Sequence, residues 1–261
     1  MTTALVCGLT GYLAGCVDTK ILVPPPSQVV VHATLDAASA DQLVLLERTS
    51  VGSTSINGQS PILGAAISIT TPSGIVMTAH EDQAGGVNAI KGQYRISLSD
   101  YGVTLAPGGR YTLHVRTDRG EEVSGSTVIP NTTAAMLSPP EVFFRKIDTL
   151  RLHWSRVEGA RSYEVRIQSL YLPDISFTQD AYVVFADTSA SIAGVERSVL
   201  NNPIFSTDDA YATVSAVDVN YYEYYVAQSD PFLGVPPSHL TGALGVFGSM
   251  VPVTRRHLVV H

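Results

Sequence analysis

Residues 149–169 read TLRLHWSRVEGARSYEVRIQS. Leu150, Leu152 and Trp154 alternate with Arg151 and His153, so the first part is a strand with one apolar face. Beyond a turn at Gly159-Ala160, Tyr163, Val165 and Ile167 alternate with Glu164 and Arg166 in the same way. A period of two places successive side chains on opposite faces of a sheet. Trp154 is the single Trp of the chain. On such a strand it is expected to anchor a core rather than stack on a ligand. His153, on the alternate positions, is expected to face solvent.

The same signal continues upstream. Val29–Leu35 is an apolar run, and Gln42–Thr49 places Leu43, Leu45 and Glu47 on one face and Val44, Leu46 and Arg48 on the other. Residues 65–71 and 75–79 flank Pro72-Ser73-Gly74, a hairpin signal. Residues 93–98 alternate again. Arg110–Arg116 brings Tyr111, Leu113 and Val115 to one face and leaves His114 outward, and Glu122–Ile129 follows. Residues 50–60 and 80–92 read as loops. Downstream, 181–186 and 210–219 are β-like, 199–205 is a short turn or helix, and the Gly-rich 242–249 is a closing strand. Short alternating strands spaced by roughly 8–12 residues predict β-sandwiches.

The chain begins with an apolar stretch, MTTALVCGLTGYLAG, followed by Cys16. It is shorter than the roughly 20 residues of a membrane-spanning helix. It has the apolar core and small-residue end of an export signal but no basic start, so the true start is expected upstream. Pro24-Pro25-Pro26 favours a stiff, extended tether. The competing reading is a buried N-terminal strand or helix. The expected organisation is a signal at 1–15, a tether at 16–27, a first sandwich at 28–130 and a linker at 131–140. A second sandwich at 141–253 with an extra C-terminal segment and a tail at 254–261 complete an all-β chain.

Hydrophobic residues make up 45% of the 261 residues and charged residues 15%, a globular balance. The net charge of −7, with no basic run longer than Arg255-Arg256, argues against nucleic acid as a partner. The only cysteines are Cys7 and Cys16, which removes disulfides and Cys-based metal sites from the body of the protein.

Several stretches resemble known families. Leu13-Ala14-Gly15-Cys16 resembles the lipobox of bacterial lipoproteins, which implies acylation of Cys16 and anchoring in the cell envelope, at the outer membrane or cell surface. GAAISITTPSG (64–74), GQYRISL (92–98) and PGGRYTLHV (107–115) resemble the Ig-like or prealbumin-like modules of bacterial surface proteins. Residues 150–169 resemble a fibronectin type III domain, where the Trp sits in the core. VSAVDVNYYEYYVAQ (214–228) and GALGVFGS (242–249) make the whole chain similar to a family of uncharacterised lipoproteins found mainly in Bacteroidota-like bacteria. That family has no established activity. Some relatives accompany outer-membrane nutrient uptake.

No motif for catalysis stands out. The seven His are scattered without ligand spacing, no G-x-S-x-G occurs, and Asp208-Asp209 lacks an EF-hand context. No cofactor, metal or enzymatic activity is expected. The best binding candidates are Tyr221, Tyr222, Tyr224 and Tyr225, because aromatic rings stack on sugars and anchor interfaces. On a strand Tyr222 and Tyr224 share a face; on a helix Tyr221 sits with Tyr224 and Tyr225. One pair is expected to be buried. The favoured role is a binding or accessory module for an envelope protein or glycan. A structural spacer and a hydrolase are the alternatives.

Overall fold

A computed structural model describes residues 27–49, 60–82, 90–133, 142–144, 149–169, 182–193, 209–229 and 237–260. The leader, Cys16, the tether prolines, Asp208 and the stretch 199–205 lie outside the described residues. The first half contains β1 (Val29–Asp36), β2 (Asp41–Arg48), β3 (Ser60–Pro61), β4 (Ala66–Thr70) and β5 (Val76–Thr78). It continues with β6 (His80–Glu81), β7 (Gln93–Ser97), β8 (Arg110–Arg116) and β9 (Glu122–Val128). The second half contains β10 (Val142–Phe144), β11 (Thr149–His153), β12 (Ser162–Ser169), β13 (Tyr182–Ala186), β14 (Ser189–Ala193) and β15 (Asp209–Val217). Helix α1 (Val219–Ser229), β16 (Leu240–Thr241) and β17 (Leu244–Val260) follow. His80–Glu81, expected within a loop, pair with β7.

The strands form an all-β sandwich arrangement around one large sheet, ordered β13-β12-β15-β17-β1-β2-β7-β6. Strand β17 is its spine. Its 17 residues span roughly 55 Å at about 3.3 Å per residue. Along its first half it pairs in parallel with β1, from Val30↔Leu244 to Asp36↔Met250. Along its second half it pairs antiparallel with β15, from Val217↔Met250 to Asp209↔Val259.

This geometry corrects two expected boundaries. The first sandwich is not complete within residues 28–130, because Phe247 and Val251 of β17 belong to its core. Residues 254–260 are not a tail; they continue β17 against β15 and β10. A parallel partner separated by some 200 residues leaves no local pattern, which is why periodicity alone assigns Phe247 and Val251 to the second sandwich and 254–261 to a tail.

Two small sheets pack on the large one. The sheet β16-β9-β8-β4-β5 closes the first core, where Val31, Leu35, Val44, Leu46, Ile69, Tyr94, Ile96 and Leu113 are nearly inaccessible. The pair β11-β14 covers the second core of Leu152, Tyr163, Val165, Ile167, Val214 and Ala216. Trp154 packs against that core, with its ring 5.5 Å from Tyr163 and its Nε1 donating to the Asp187 carbonyl at 3.0 Å. His114 and His153 are exposed, as the alternation requires.

Arg48 follows Val44 and Leu46 onto the inner face of β2 and is buried. A buried guanidinium needs a partner. Its Nη1 donates to Glu121 Oε1 at 2.9 Å, and its Nη2 meets Oε2. The Arg48 guanidinium holds the Glu121 carboxyl down at about 2, from an ordinary 4.5. A carboxylate with a depressed folded pKa stabilises the fold above its unfolded pKa, and that stabilisation is lost as pH falls from about 4.5 toward about 2. Glu121 is a third exposed, so screening limits the pair to on the order of 1 kcal/mol. Glu121→Gln is therefore expected to lower stability at pH 7 and to flatten the acid limb between those two pH values. Melting curves at pH 7 and pH 3 check this; an unchanged acid limb would remove the linkage.

Candidate binding cleft at the module junction

Helix α1 starts where β15 runs out of partner. Past Val217 the chain leaves the sheet, and Asp218 caps the helix: its Oδ1 accepts from the Tyr221 N–H at 2.9 Å. The same oxygen accepts from the Ser249 N–H at 3.0 Å, and Oδ2 accepts from the Thr127 hydroxyl at 2.6 Å. Ser249 Oγ lies 3.0 Å from Thr127 Oγ1 and donates to the Val128 carbonyl at 2.9 Å. Asn220 Nδ2 donates to the Ser126 and Phe247 carbonyls at 2.8 and 2.9 Å. One short turn thereby ties β9, β17 and α1 together. Burial raises the Asp218 pKa, against the pull of the hydrogen bonds from Thr127, Tyr221 and Ser249. An Asp three residues before the first Tyr is a helix-start signal. Applied to Asp218, it would have decided between helix and strand for this segment.

The helical phase sets the fate of the tyrosines. Tyr221 and Tyr224 are 4% and 5% exposed, whereas Tyr222 and Tyr225 are half-buried. Tyr221 packs 4.4 Å from Tyr225 and donates its hydroxyl to Glu164. Tyr224 meets His32 edge to face at 5.6 Å, with its hydroxyl 3.3 Å from Nδ1. Burial lowers the His32 pKa and pushes Tyr224 up to about 12, so this pair is neutral near pH 7. As binding candidates Tyr221 and Tyr224 are thus corrected: they are the buried pair that the run was expected to contain, and their rings hold α1 on the sheet. Beneath the helix, Glu164 is 3% exposed and pairs with Arg166 Nη2 at 2.6 Å. Burial, then the Glu164 charge, drives the Tyr221 pKa well above its ordinary value. So engaged, Glu164 is a structural joint between α1 and β12.

Open space lies beside the start of the helix. A cleft of about 540 Å³ is walled by Arg110, Ser126, Thr127 and Val128 of the first sandwich. Gly159, Ala160 and Arg161 of the second sandwich and Asp218, Val219 and Asn220 of the helix start form the remaining walls, with His239 at the rim. Arg110 Nη1 donates to Ser126 Oγ at 3.1 Å. The Arg161 guanidinium lies 4.5 Å over the Tyr222 ring, a cation–π contact. His239 Nε2 is 2.9 Å from Glu223 Oε2. Sequence reasoning missed this cleft, since its walls come from positions more than a hundred residues apart.

A family model described as "Domain of unknown function (DUF4249)" matches residues 17–256. The chain belongs to this DUF4249 family. No curated protein matches it. Among solved structures, it is similar to the two fibronectin type III domain segment from chicken tenascin, at 13% identity and a TM-score of 0.22, covering 75% of this chain and 91% of that one. DIP-gamma IG1+IG2 is similar at 12% identity and a TM-score of 0.20, covering 91% and 98%. A pullulanase from Anoxybacillus sp. LM18-11 complexed with maltotriose is similar at 9% identity and a TM-score of 0.24. The match covers 72% of this chain and only 24% of the pullulanase. None of these likenesses bears on what the DUF4249 chain does.

The glycines of Gly242-Ala-Leu-Gly245-Val-Phe-Gly248 have a structural reason in this DUF4249 chain. A Cβ at Gly242 would meet the Glu122 carbonyl at 2.2 Å, one at Gly245 the Val31 carbonyl at 2.0 Å, and one at Gly248 the Tyr221 N and Cβ at 2.9 and 2.8 Å. Every third residue of this entry into β17 admits another element, respectively β9, β1 and α1. Among the described residues, no group of three or more His, Cys, Asp or Glu is placed to hold a metal, and no helix is long and apolar enough to cross a membrane.

Proposed function

We propose that this DUF4249 chain is a lipid-anchored envelope protein, without catalysis of its own, that binds a partner protein or glycan in the junction cleft as an accessory to nutrient uptake. The cleft carries this reading. Its walls come from both sandwiches and the helix between them, and Asp218 and Asn220 tie the helix start to β9 and β17. Preformed concave sites at module junctions are common binding sites. Anchoring is supported by Leu13-Ala14-Gly15-Cys16 and the proline tether. Because β1 and β17 run parallel, the chain enters β1 beside the start of β17, and the second sandwich stands at the far end of the spine from the tether.

The anchor has a direct measurement. Mass spectrometry of the protein purified from its own membranes is expected to show an acylated Cys16 at the N-terminus, and an intact Met1 would defeat the localisation. The cleft has a separate one. Val219 is 42% exposed on its wall, so Val219→Trp fills the space without touching a core. Pull-down from solubilised membranes is expected to lose its partner with this variant. A pure spacer would retain every partner that the unmodified chain captures.

A further inference from the structure

Arg110 and Arg161 line one cleft, and among the described residues neither is paired with a carboxylate. Both are exposed, and both are positioned by neutral groups: Arg110 by the Ser126 hydroxyl and Arg161 by the Tyr222 ring. The acidic groups nearby are already engaged. Asp218 is turned inward to Thr127, Ser249 and Tyr221, Glu223 holds His239, and Glu158 accepts from Asn131 Nδ2 at 3.0 Å. Two uncompensated guanidinium groups on one cleft are unusual in a chain of net charge −7.

We infer that the cleft takes a carboxylate-bearing peptide segment of the partner, with the carboxylate held between Arg110 and Arg161. This rests on the reading of the cleft as the binding site and deepens it. A planar guanidinium matches a carboxylate through paired hydrogen bonds. Val128, Ala160 and Val219 supply apolar wall for the aliphatic part of an acidic side chain. A glycan fits less well. Sugars dock on open aromatic faces, and the Tyr222 face is occupied by Arg161. Recognition by strand addition is blocked as well, because the β9 carbonyls of Ser126 and Val128 already accept from Asn220 and Ser249. The carboxylate is therefore read by side-chain charge, not by backbone pairing.

The test uses the full chain in detergent and a dye-labelled hexaglutamate probe, read by fluorescence anisotropy. Hexaglutamate is expected to bind in a salt-sensitive way, and hexaglutamine about tenfold more weakly or worse. Arg110→Gln with Arg161→Gln is expected to weaken hexaglutamate by about tenfold or more with an unchanged melting temperature, because both side chains are exposed. Arg161→Lys keeps the charge but loses the planar fork and should fall between. Absent hexaglutamate binding, or binding indifferent to the double variant, overturns the proposal. So does displacement of the probe by oligogalacturonate or inorganic phosphate at equal or lower concentration, which would give the arginines another ligand. If Val219→Trp abolishes partner capture and the arginine variant leaves it intact, the cleft remains the binding site and the carboxylate assignment falls. If neither variant matters, both fall.

Discussion

Gly245→Ala is expected to remove the cooperative unfolding transition of this protein or shift it strongly downward. Gly245 has φ +104°, a backbone conformation that side chains rarely tolerate. A Cβ there would stand 2.0 Å from the Val31 carbonyl oxygen and 2.9 Å from the Val31 backbone N and C. Neither strand can retreat, because Val31↔Gly245 sits between Val30↔Leu244 and His32↔Val246 in the ladder that joins β1 to β17. Backbone strain of about 1–3 kcal/mol adds to an overpacking cost of similar size. The sum, on the order of 2–6 kcal/mol, is a large share of an ordinary net stability of about 5–15 kcal/mol. Gly74→Ala is the matched control. Its φ is +85°, but its Cβ would meet nothing within 4 Å, so it pays only the conformational cost of about 1 kcal/mol. Denaturant titration followed by circular dichroism separates the two. A Gly245→Ala midpoint close to that of Gly74→Ala would mean that β1 and β17 are not held at this register.

Asp218→Ala is expected to cost about 3–4 kcal/mol, beyond the roughly 1 kcal/mol of an ordinary helix cap. The carboxylate serves three donors on three elements: Tyr221 N–H in α1, Ser249 N–H in β17 and the Thr127 hydroxyl in β9. Thr127 and Ser249 are 2% and 0% exposed, so water cannot replace the lost acceptor without opening the joint. Asp218→Asn keeps one acceptor oxygen and should lose about half as much. Thermal melts give the ordering, and amide exchange should show α1 opening first. Loss confined to that of an exposed cap would mean that the turn does not tie α1 to β9 and β17.

The all-β class and most strands were legible because a half-buried strand writes its own burial into alternation. Tyr111, Leu113 and Val115 lie inside and His114 outside for the same reason that Tyr163, Val165 and Ile167 lie inside. Trp154 was legible as a packing residue because no other Trp competes for its core. The tyrosine run was half legible. Four rings in five positions signal burial, but their partition depends on helical phase, which the capping Asp218 sets. The cleft was not legible, since Arg110, Arg161 and Val219 meet only after the chain has folded back twice.

The order of an apolar N-terminal stretch, Cys16, Pro24-Pro25-Pro26 and alternating strands belongs to the sequence alone, because each is a local pattern of side-chain size, polarity and spacing. The tertiary structure alone decided that the two sandwiches share one strand. A parallel pair between Val30 and Leu244 is governed by backbone hydrogen bonding and close approach, and neither depends on the periodicity of nearby side chains. The same holds for the uncompensated arginines. Their residue types are local, but their lack of a carboxylate partner among the described residues is a property of the cleft that the two modules and the helix start build together.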